Sequence, residues 1–594
     1  MKLKLDRMNF FKTFMSSCLG ALVAMVIVII GTIVIISASS GDEQPAIKEN
    51  SVLKLDLNTP IIETEKEDPF AGLSFLGGGA QKPIGLAQLR QTIAGAKTDD
   101  KIKGILVNVN YPMAGFTVIE EIRQALLDFR KDGKWVVVYS EGMSESAYYL
   151  ASAADKIYLN PEGEVEFNGL AVDVSFFKRL FDKLEIKPEV FRVGEFKSAV
   201  EPFLLEKMSD ANRLQLTELI NSIYDHVLTQ VAASRNIPKA NLKEIADKML
   251  VRNAELALEY KLVDSLMYDD QVQKELGRRL GLKGDDKVDY VKYNRYKSSV
   301  SNYTDSQNEV AVIVAEGEIV PGKANSGQTI VASESFVKEL RKARESDRVK
   351  AVVIRINSPG GSALASDVMW REITLTSKVK PVIASMSDYA ASGGYYMAMA
   401  CDTIVAQPHT ITGSIGVFGI LFDASGFLNN KIGITSEEVK TGEIGEMMTV
   451  SRPLTEQEKG IMQKRTEEVY ETFTAKAAEG RKMTQDNIKK VASGRVWSGV
   501  QAKERGLVDV LGSFDDAVKI AAAAGNVKDD YRVRFYPQYT PNFFEQVMDQ
   551  LDDDSQEKAI REQLGEHYQL YQEWKRVKSY QGIQTRMPYE LKLK

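Results

Sequence analysis

The stretch with the clearest chemical potential in this sequence is Asp388–Tyr396, DYAASGGYY, in which Ser392 lies between two alanines and two glycines. Small neighbours let a substrate backbone approach a serine closely, and Gly393 can place its amide N–H beside a reacting carbonyl without a Cβ in the way. These residues favour Ser392 as a nucleophile. They also suit a tight strand-to-helix junction that serves only packing, because glycine-rich turns are common.

A serine nucleophile needs a base, and the sequence limits the choice. The three histidines, His226, His409 and His567, lie in unrelated contexts with no recognisable acid pattern, which argues against a Ser-His-Asp triad. Lys197 is an alternative, because it lies in the run GEFKSAVEP among small and apolar residues. A lysine acts as a base only where a desolvated setting keeps its amine neutral. Taken alone, Lys197 would ordinarily be a solvated surface residue.

The sequence repeats itself. Residues 105–115 align with 352–362 at an offset of 247 (352 minus 105), and residues 148–155 align with 395–402 at the same offset. Further on, LVD at 262–264 matches LVD at 507–509. A nearly constant offset over about 160 residues indicates two copies of one fold.

The two copies differ where chemistry would occur. Glu145 stands at the position equivalent to Ser392, so the first copy lacks the serine. When Gly194 is aligned with Gly442, Gly445 stands at the position of Lys197, so the second copy lacks the lysine. Each copy therefore keeps one member of a possible Ser–Lys pair, and this complementary loss favours a functional role for both residues.

The elements that must position these residues follow an alternating pattern. Short β-branched strands, predicted at 310–314, 351–356 and 381–386, alternate with helical patterns such as 333–346. This alternation predicts an α/β fold with helices on the sheet faces. Two amphipathic stretches, 214–231 and 456–477, carry apolar residues at helical spacing, which favours core packing over a partner surface.

The N-terminus predicts a membrane anchor. Residues 18–38 carry no charge and are long enough to span a hydrocarbon core of roughly 30 Å. The run is longer than the apolar region of a cleaved signal peptide, although small residues at 37–40 leave a cleavable form open. Four basic residues precede the run, and Asp42 and Glu43 follow it, which places residues 1–17 in the cytoplasm and the bulk of the chain outside.

Composition excludes several classes of protein. The 594 residues are 44% hydrophobic and 27% charged, as in a globular chain of two to four domains. A net charge of −6 argues against a nucleic-acid-binding protein, whose phosphate contacts need basic residues. The two cysteines, Cys18 and Cys401, predict neither a disulfide nor a metal site. We find no Walker loop and no HExxH motif, so no metal or other cofactor is expected.

Five motifs, in order, carry a resemblance to a known family. GEFKSAVEPF, NSPGGS, YAASGGYY, TGSIGVFG and GRVWSGVQAKERGLVD resemble the motifs of the bacterial signal peptide peptidase family in its long, tandem-repeat form, often called protease IV. The resemblance covers nearly the whole chain, up to the closing segment 582–591. It implies two tandem α/β repeats with a crotonase-like or Clp-protease-like fold, preceded by one transmembrane helix.

The resemblance and the repeat together give a domain division. We expect a cytoplasmic N-terminus (1–17), a transmembrane anchor (18–38), an N-terminal α/β repeat that supplies the lysine (50–282), a linker (283–307), a C-terminal α/β repeat that supplies the serine (308–535), and a C-terminal helical segment and tail (536–594).

The resemblance also implies the site residues. Ser392 would be the nucleophile and Lys197 its general base, and Ser414 would hydrogen-bond and orient the lysine. The oxyanion hole would combine the Gly393 N–H with an amide from Gly360 or Gly361. The site would need no metal.

Members of that family are membrane-anchored serine peptidases that degrade signal peptides left in the membrane. The resemblance therefore implies a single-pass protein of the bacterial inner membrane, with its catalytic part on the periplasmic side. Its expected partners are signal peptides and other apolar peptides, the membrane, and copies of itself in a bowl-shaped homo-oligomer, a tetramer by resemblance. We also expect a small or modest apolar S1 pocket. The apolar loop 70–79 would line its entrance or form a buried turn.

Two other classes of function stay open at this point. A crotonase-like acyl-CoA enzyme would share the fold and the backbone oxyanion donors, but it would need neither the Ser392 and Lys197 pair nor an external location. A non-catalytic membrane scaffold would assemble through the two amphipathic stretches.

Overall fold

The computed structural model describes residues 20–21, 24–25, 47–65, 83–283, 286–300, 306–324, 328–537 and 582–587. The expected anchor at 18–38 lies outside the described residues apart from positions 20, 21, 24 and 25, and the apolar loop 70–79 lies wholly outside them. The expected C-terminal segment 536–594 is described only at 536–537 and 582–587. Within the described ranges, no helix has the length and hydropathy needed to cross a membrane.

The first repeat builds a parallel sheet from strands that are short and rich in valine and isoleucine. The strands of this repeat, of which β2, β3 and β7 belong to other sheets, are β1 (Ser51–Asp56), β2 (Ile61–Ile62), β3 (Ile84–Gly85), β4 (Ile102–Asn108), β5 (Trp135–Met143), β6 (Lys156–Val165), β7 (Lys187–Val193), β8 (Ser265–Leu266) and β9 (Tyr290–Lys292). The helices of the first repeat are α1 (Leu86–Thr98), α2 (Phe116–Arg130), α3 (Glu145–Ala151), α4 (Lys178–Leu184), α5 (Glu201–Leu204), α6 (Asp210–Arg235), α7 (Lys239–Asp247), α8 (Ala254–Glu259), α9 (Asp269–Arg279) and α10 (Tyr293–Lys297). A 3₁₀ turn, Ser198–Val200, precedes α5.

The second repeat follows the same plan. Its strands are β10 (Glu309–Glu316), β11 (Glu318–Val320), β12 (Ile330–Ala332), β13 (Val349–Ser358), β14 (Gly360–Ser362), β15 (Val382–Ala391), β16 (Thr403–Ala406), β17 (Ile411–Gly413), β18 (Val417–Asp423), β19 (Val496–Ser498), β20 (Val510–Leu511) and β21 (Arg532–Tyr536). Its helices are α11 (Ser333–Glu345), α12 (Ala363–Ser377), α13 (Gly393–Ala398), α14 (Glu456–Arg481), α15 (Gln485–Val491), α16 (Gly499–Glu504) and α17 (Phe514–Ala524), with a π-helical turn at Phe427–Ile432. A last strand, β22 (Gly582–Arg586), lies near the C-terminus.

The predicted duplication is confirmed by strand order and by matching hydrogen bonds. The first sheet runs β8-β6-β5-β4-β1-β9, and the second contains β17-β15-β13-β10-β21, with β16 paired to β15 and β20 paired to β16. The Tyr148 hydroxyl donates to the Leu262 carbonyl at 3.0 Å, and Tyr395 donates to Leu507 at the same distance. These tyrosines stand at the offset of 247 found in the sequence, so the tandem α/β fold is shared by both halves.

Both faces of the second sheet are buried, which explains the nearly continuous apolar runs of its strands. On β13, Val352 and Ile354 point into one cluster with α11 and α12, whereas Val353 points into a second cluster covered by α17. The two amphipathic stretches form α6 and α14. Their apolar faces, which include Ile223 and Phe473, are buried as core.

Residues 290–292, inside the stretch expected to join the repeats, form β9 at the edge of the first sheet. β9 pairs in parallel with β1, and α10 follows it directly. In the second repeat β21 pairs in parallel with β10 in the same way.

A third sheet combines strands from both repeats, in the order β12-β11-β14-β22-β18-β7. β7 of the first repeat pairs antiparallel with β18 of the second over their whole length, from Val193 opposite Val417 to Lys187 opposite Asp423. This pairing brings the chain that leads to Lys197 against the second repeat.

Candidate active site

Ser392 lies at the sharp turn between β15 and α13. Its backbone has φ 57° and ψ −110°, a conformation that is costly for a residue with a Cβ. The turn is held by two hydrogen bonds, from the Ser392 N–H to the Gly413 carbonyl and from the Tyr396 N–H to the Ser392 carbonyl, both 2.8 Å. β15 extends to Ala391, beyond the strand predicted at 381–386, so the strand delivers the serine directly into the turn.

The glycines after Ser392 are required by packing. A Cβ at Gly393 would lie 2.6 Å from Ser366 Oγ, and one at Gly394 would lie 2.7 Å from the Ser358 carbonyl oxygen. Close packing therefore explains why glycines stand at positions 393 and 394. It does not account for the backbone of Ser392 or for the lysine beside it.

Lys197 lies four residues after β7, immediately before the 3₁₀ turn, and its side chain is fully buried. Its Nζ is 2.9 Å from Ser392 Oγ, 3.0 Å from Ser414 Oγ and 3.1 Å from the Ser414 carbonyl oxygen. The structure thus brings together three residues singled out in the sequence. Burial lowers the pKa of Lys197 well below its usual range.

The three neighbours of the Lys197 amine fit its neutral form. A neutral amine has two N–H donors and one lone pair. The Ser414 carbonyl can only accept, so it takes one N–H, and Ser414 Oγ can take the other. The lone pair is then left for the Ser392 hydroxyl, which can donate to it across 2.9 Å. This arrangement can remove the proton of Ser392.

Ser414 follows β17 and also has a positive φ, 49°. Its N–H donates to the Arg495 carbonyl at 2.7 Å, which fixes the residue against the start of β19. Because both its hydroxyl and its carbonyl oxygen contact Lys197, Ser414 restricts where the amine can lie.

Two further glycines, which the sequence analysis did not single out, enclose the lysine. A Cβ at Gly494 would lie 2.6 Å from the Cβ of Lys197, and a Cβ at Gly416 would lie 3.3 Å from its Cδ. The Phe196 N–H donates to the Ser493 carbonyl at 2.9 Å, so the same loop holds the backbone next to Lys197. In the sequence, the position of Gly494 as the first residue of the GRVWSG motif was a signal that could have identified it.

Of the two glycines predicted as alternative oxyanion donors, Gly360 lies beside Ala391 and Gly393, the residues that flank Ser392. Gly360 has φ 99°, and the point where its Cβ would stand is 2.7 Å from the Gly393 nitrogen. The Gly360 N–H already donates to Ser358 Oγ at 3.2 Å. Gly361, with φ 158°, is in β14 beside Ile319 of β11.

Among the residues that the structure describes, neither His226 nor His409 forms a triad with Ser392. His226 and His409 pack edge to face with ring centroids 4.8 Å apart, and the Tyr149 hydroxyl lies 3.2 Å from His409 Nε2. His567 lies outside the described residues. Within the described ranges, no group of three or more His, Cys, Asp or Glu side chains is placed to hold a metal ion.

Comparison with known proteins adds an independent finding. The model of Peptidase family S49 matches residues 128–283 and again 374–528. "Protease 4" of Salmonella typhi is 35% identical over 89% of this chain and 86% of its own length, and "Protease 4" of Haemophilus influenzae is 33% identical over 84% of each. "Serine protease SPPA, chloroplastic" of Arabidopsis thaliana is 36% identical over 81% of this chain and 70% of that one.

Among solved structures, ClpP1 from Listeria monocytogenes matches 35% of this chain and 94% of its own. The identity is 18% and the TM-score 0.22, a likeness too distant to carry an argument.

Proposed function

The chain belongs to peptidase family S49 in its tandem form and is a serine peptidase of the signal peptide peptidase kind, and we propose that it cleaves peptide bonds with a catalytic dyad of Ser392 and Lys197. The observation that carries this proposal is the distance of 2.9 Å between a fully buried lysine amine and the hydroxyl of a serine in a strained turn. A scaffold would require neither feature.

The proposed reaction begins with proton transfer. The neutral Lys197 amine takes the proton of Ser392 Oγ, and the resulting alkoxide attacks the substrate carbonyl carbon. The developing oxyanion accepts hydrogen bonds from the Gly393 N–H and from the N–H of Gly360 or Gly361, each donor worth about 3 kcal/mol of barrier. The Lys197 ammonium then gives its proton to the leaving amine, and the peptide C–N bond breaks.

The second half of the reaction repeats these roles. An ester now joins Ser392 Oγ to the acyl part of the substrate. Lys197, neutral again, takes a proton from an attacking water molecule, and the oxyanion donors stabilise the second tetrahedral intermediate. Collapse of that intermediate releases a carboxylic acid, and the proton on Lys197 returns to Ser392. Ser414 keeps the amine aligned throughout.

Location and substrate extend the same proposal. An uncleaved anchor at 18–38 would hold the peptidase at the outer face of the bacterial inner membrane, where signal peptides remain after their preproteins are processed. The support is the length and charge pattern of this run and the similarity to the Protease 4 relatives. We propose that the protein cuts these apolar peptides there, as a homo-oligomer.

The test is hydrolysis of a fluorogenic apolar peptide by the detergent-purified protein. Ser392→Ala and Lys197→Ala should each lower kcat by about a thousandfold or more, because the two groups act as one unit. Ser146→Ala and Lys134→Ala are matched controls, since Ser146 lies at the equivalent turn of the first repeat and Lys134 is a partly buried lysine elsewhere. Both controls should keep near-normal rates. A Lys197→Ala protein that stays folded and cleaves normally would refute the dyad.

A further inference from the structure

Lys197 extends from a short turn rather than from a helix or a strand. It lies between β7, which ends at Val193, and the 3₁₀ turn that starts at Ser198. Its φ is −76° and its ψ is 74°, and the Ser198 N–H donates to the Phe196 carbonyl at 2.8 Å, so Lys197 is the central residue of an inverse γ-turn. A turn of this kind fixes little by itself, and other contacts must hold the backbone that carries the lysine.

Gln215, in the first half of α6, makes such contacts. The residue is 1% exposed, and its Nε2 donates to the Phe196 carbonyl at 3.1 Å and to Ser198 Oγ at 2.9 Å. These two acceptors belong to the residues on either side of Lys197. One side chain therefore binds both neighbours of the proposed base.

The same side chain also contacts the second repeat. Gln215 Oε1 accepts from the N–H of Val496, the first residue of β19, at 3.3 Å. β19 pairs antiparallel with β17 and sets Val496 opposite Gly413, whose carbonyl accepts from the Ser392 N–H. Gln215 thus joins the turn that carries the proposed base to a strand that adjoins the backbone of the proposed nucleophile.

The residue type fits these contacts, and a buried network fixes its orientation. A carboxamide carries two N–H donors and a carbonyl acceptor on one planar group, so it can donate to the turn and accept from β19 at once. Nε2 of Gln215 also donates to Asn212 Oδ1 at 3.1 Å, and Asn212 Nδ2 donates to Glu201 Oε2 at 3.0 Å. Asn212 and Glu201 are at most 2% exposed. Side chains locked in this way can hold a neighbouring functional group in place.

A second residue of α6 supports the same turn from the other side. Glu218, three residues after Gln215, pairs with the Arg495 guanidinium, and this guanidinium lies over the Phe196 ring at 4.7 Å from its centroid. Residues three apart in a helix share one face. One face of α6 therefore reaches both the backbone and, through Arg495, the ring of the residue before Lys197.

We propose that Gln215 is the positioning residue of the base: it sets the place of the Lys197 amine by holding the turn on both sides of the lysine and by joining that turn to β19. The inference rests on the proposed peptidase function. Any shift of the turn moves Nζ relative to Ser392 Oγ, and a displacement of about 1 Å at a reacting group costs on the order of a hundredfold in rate. Gln215 bonds the backbone beside Lys197 and not the groups that react, so its loss should change kcat and leave KM unchanged.

The first test is Gln215→Met in the full-length protein, which keeps the length of the side chain and removes its amide hydrogen bonds. Hydrolysis of the fluorogenic apolar peptide should show kcat lowered about thirtyfold, with KM within about twofold of wild type. Gln501→Met is the matched control. Gln501 Nε2 donates to the Glu218 carbonyl of α6 at 3.3 Å, and its Oε1 accepts from the Ser498 N–H at the end of β19 at 3.1 Å, so it joins the same helix and strand without bonding the turn at Lys197. A folded Gln215→Met protein with a kcat near that of wild type, or an equal fall of kcat in both variants, overturns the inference.

The second test does not depend on catalysis. Backbone hydrogen exchange of residues 196–199 is followed by mass spectrometry in full-length protein that carries Ser392→Ala. Adding Gln215→Met should raise the exchange of these amides about tenfold or more, because the turn loses its support, and adding Gln501→Met should leave it unchanged. Exchange that stays the same in the Gln215→Met protein shows that the turn holds itself, which overturns the inference. If exchange responds to Gln215→Met but the wild-type protein hydrolyses no peptide, the peptidase proposal fails, and Gln215 stands as the residue that places the Lys197 amine.

Discussion

Lys197 is the residue at which activity and stability oppose each other. In the proposed dyad its amine must be neutral to accept a proton, and burial favours the neutral form by lowering the pKa of Lys197 well below the usual range. Between its lowered pKa in the folded protein and about pH 10.4, the lysine is protonated when unfolded and neutral when folded, so folding releases a proton. The contribution of this group to stability is therefore unfavourable at neutral pH and improves as the pH rises toward 10.4.

We expect Lys197→Met to abolish hydrolysis and to raise the free energy of unfolding at pH 7 by about 1 kcal/mol, as is common when a functional compromise is removed. The gain should shrink at pH 9, because the wild-type penalty is smaller there. Denaturant unfolding of both proteins at pH 7 and pH 9 measures it. In the wild type, kcat/KM should rise with pH through the lowered pKa of Lys197. A pH-independent gain would contradict the stated cause.

Gly494 offers a second prediction with a close control. A Cβ there would lie 2.6 Å from the Cβ of Lys197, whereas Gly133, with the same φ of 78°, has no heavy atom within 4 Å of its Cβ position. Both alanine substitutions carry a backbone cost of about 1 kcal/mol. Only Gly494→Ala should displace the lysine, so we expect it to lower kcat at least a hundredfold while Gly133→Ala stays active. Thermal unfolding of the two variants measures the backbone cost that they share, and peptide hydrolysis shows whether Lys197 has been displaced.

At the scale of elements, the end of β15 is held by the first repeat. Asp388 Oδ1 accepts from the N–H groups of Thr117 and Val118 at 2.9 and 3.4 Å, at the N-terminus of α2. Gly115 makes room for this contact, since a Cβ there would lie 2.3 Å from the Asp388 carboxyl. The strand that presents Ser392 is therefore aligned by a helix of the other repeat.

Burial and the nearby charge of Glu63 raise the pKa of Asp388 to about 6, above its unfolded value of about 3.9. This group's contribution to stability is complete below about pH 3.9 and is lost as the pH rises through 6, a loss of about 3 kcal/mol. Asp388→Asn keeps an acceptor for Thr117 but cannot ionise. We expect its free energy of unfolding to fall less than that of the wild type between pH 5 and pH 8. If the free energy of unfolding depends on pH equally in the two proteins, the raised pKa of Asp388 has no role in stability.

Sequence patterns predicted elements better than their pairing. The strands at 310–314 and 351–356 and the helix at 333–346 lie within or close to β10, β13 and α11, because fully buried strands and helices have distinct apolar periods. The third sheet was not predicted. β7 and β18 are joined across more than two hundred residues, and no local pattern specifies a partner at that distance.

For the candidate site, too, the sequence predicted which residues are involved better than it predicted their contacts. Ser392 and Lys197 could be singled out because each repeat keeps the residue that the other has lost, but their separation is set by the pairing of β7 with β18. Gly494 and Gly416 lie within sequence motifs, but their role as neighbours of Lys197 depends on the fold. β22 was expected within a helical segment and tail, and its extended pairing depends on strand edges far away in the chain.

At the scale of the whole molecule, the two repeats are joined by buried charges. Arg355 pairs with Glu63 at 2.8 Å and with Glu121 at 2.9 Å, and all three side chains are at most 3% exposed. The carboxylates come from the first repeat and the guanidinium from the second. A buried pair of this kind fixes how surfaces meet, because any other alignment leaves a charge without its partner.

We expect Arg355→Ala to lower the free energy of unfolding by about 3 kcal/mol and to reduce activity with it, because the two halves of the site depend on this alignment. Arg341→Ala is the matched control, since Arg341 pairs with Glu372 at 3.0 Å but is half exposed. That variant should lose less than about 1 kcal/mol and stay active. Unfolding and peptide hydrolysis of both variants check this. A small loss from Arg355→Ala would show that apolar contacts alone align the repeats.

Because Lys197 and Ser392 belong to different repeats, the ribosome synthesises the two members of the proposed dyad at different times. Lys197 leaves the ribosome first, and Ser392 follows 195 residues later, which is on the order of 10–40 s at ordinary rates of synthesis. Until then the nascent chain holds the proposed base without the serine that it would activate.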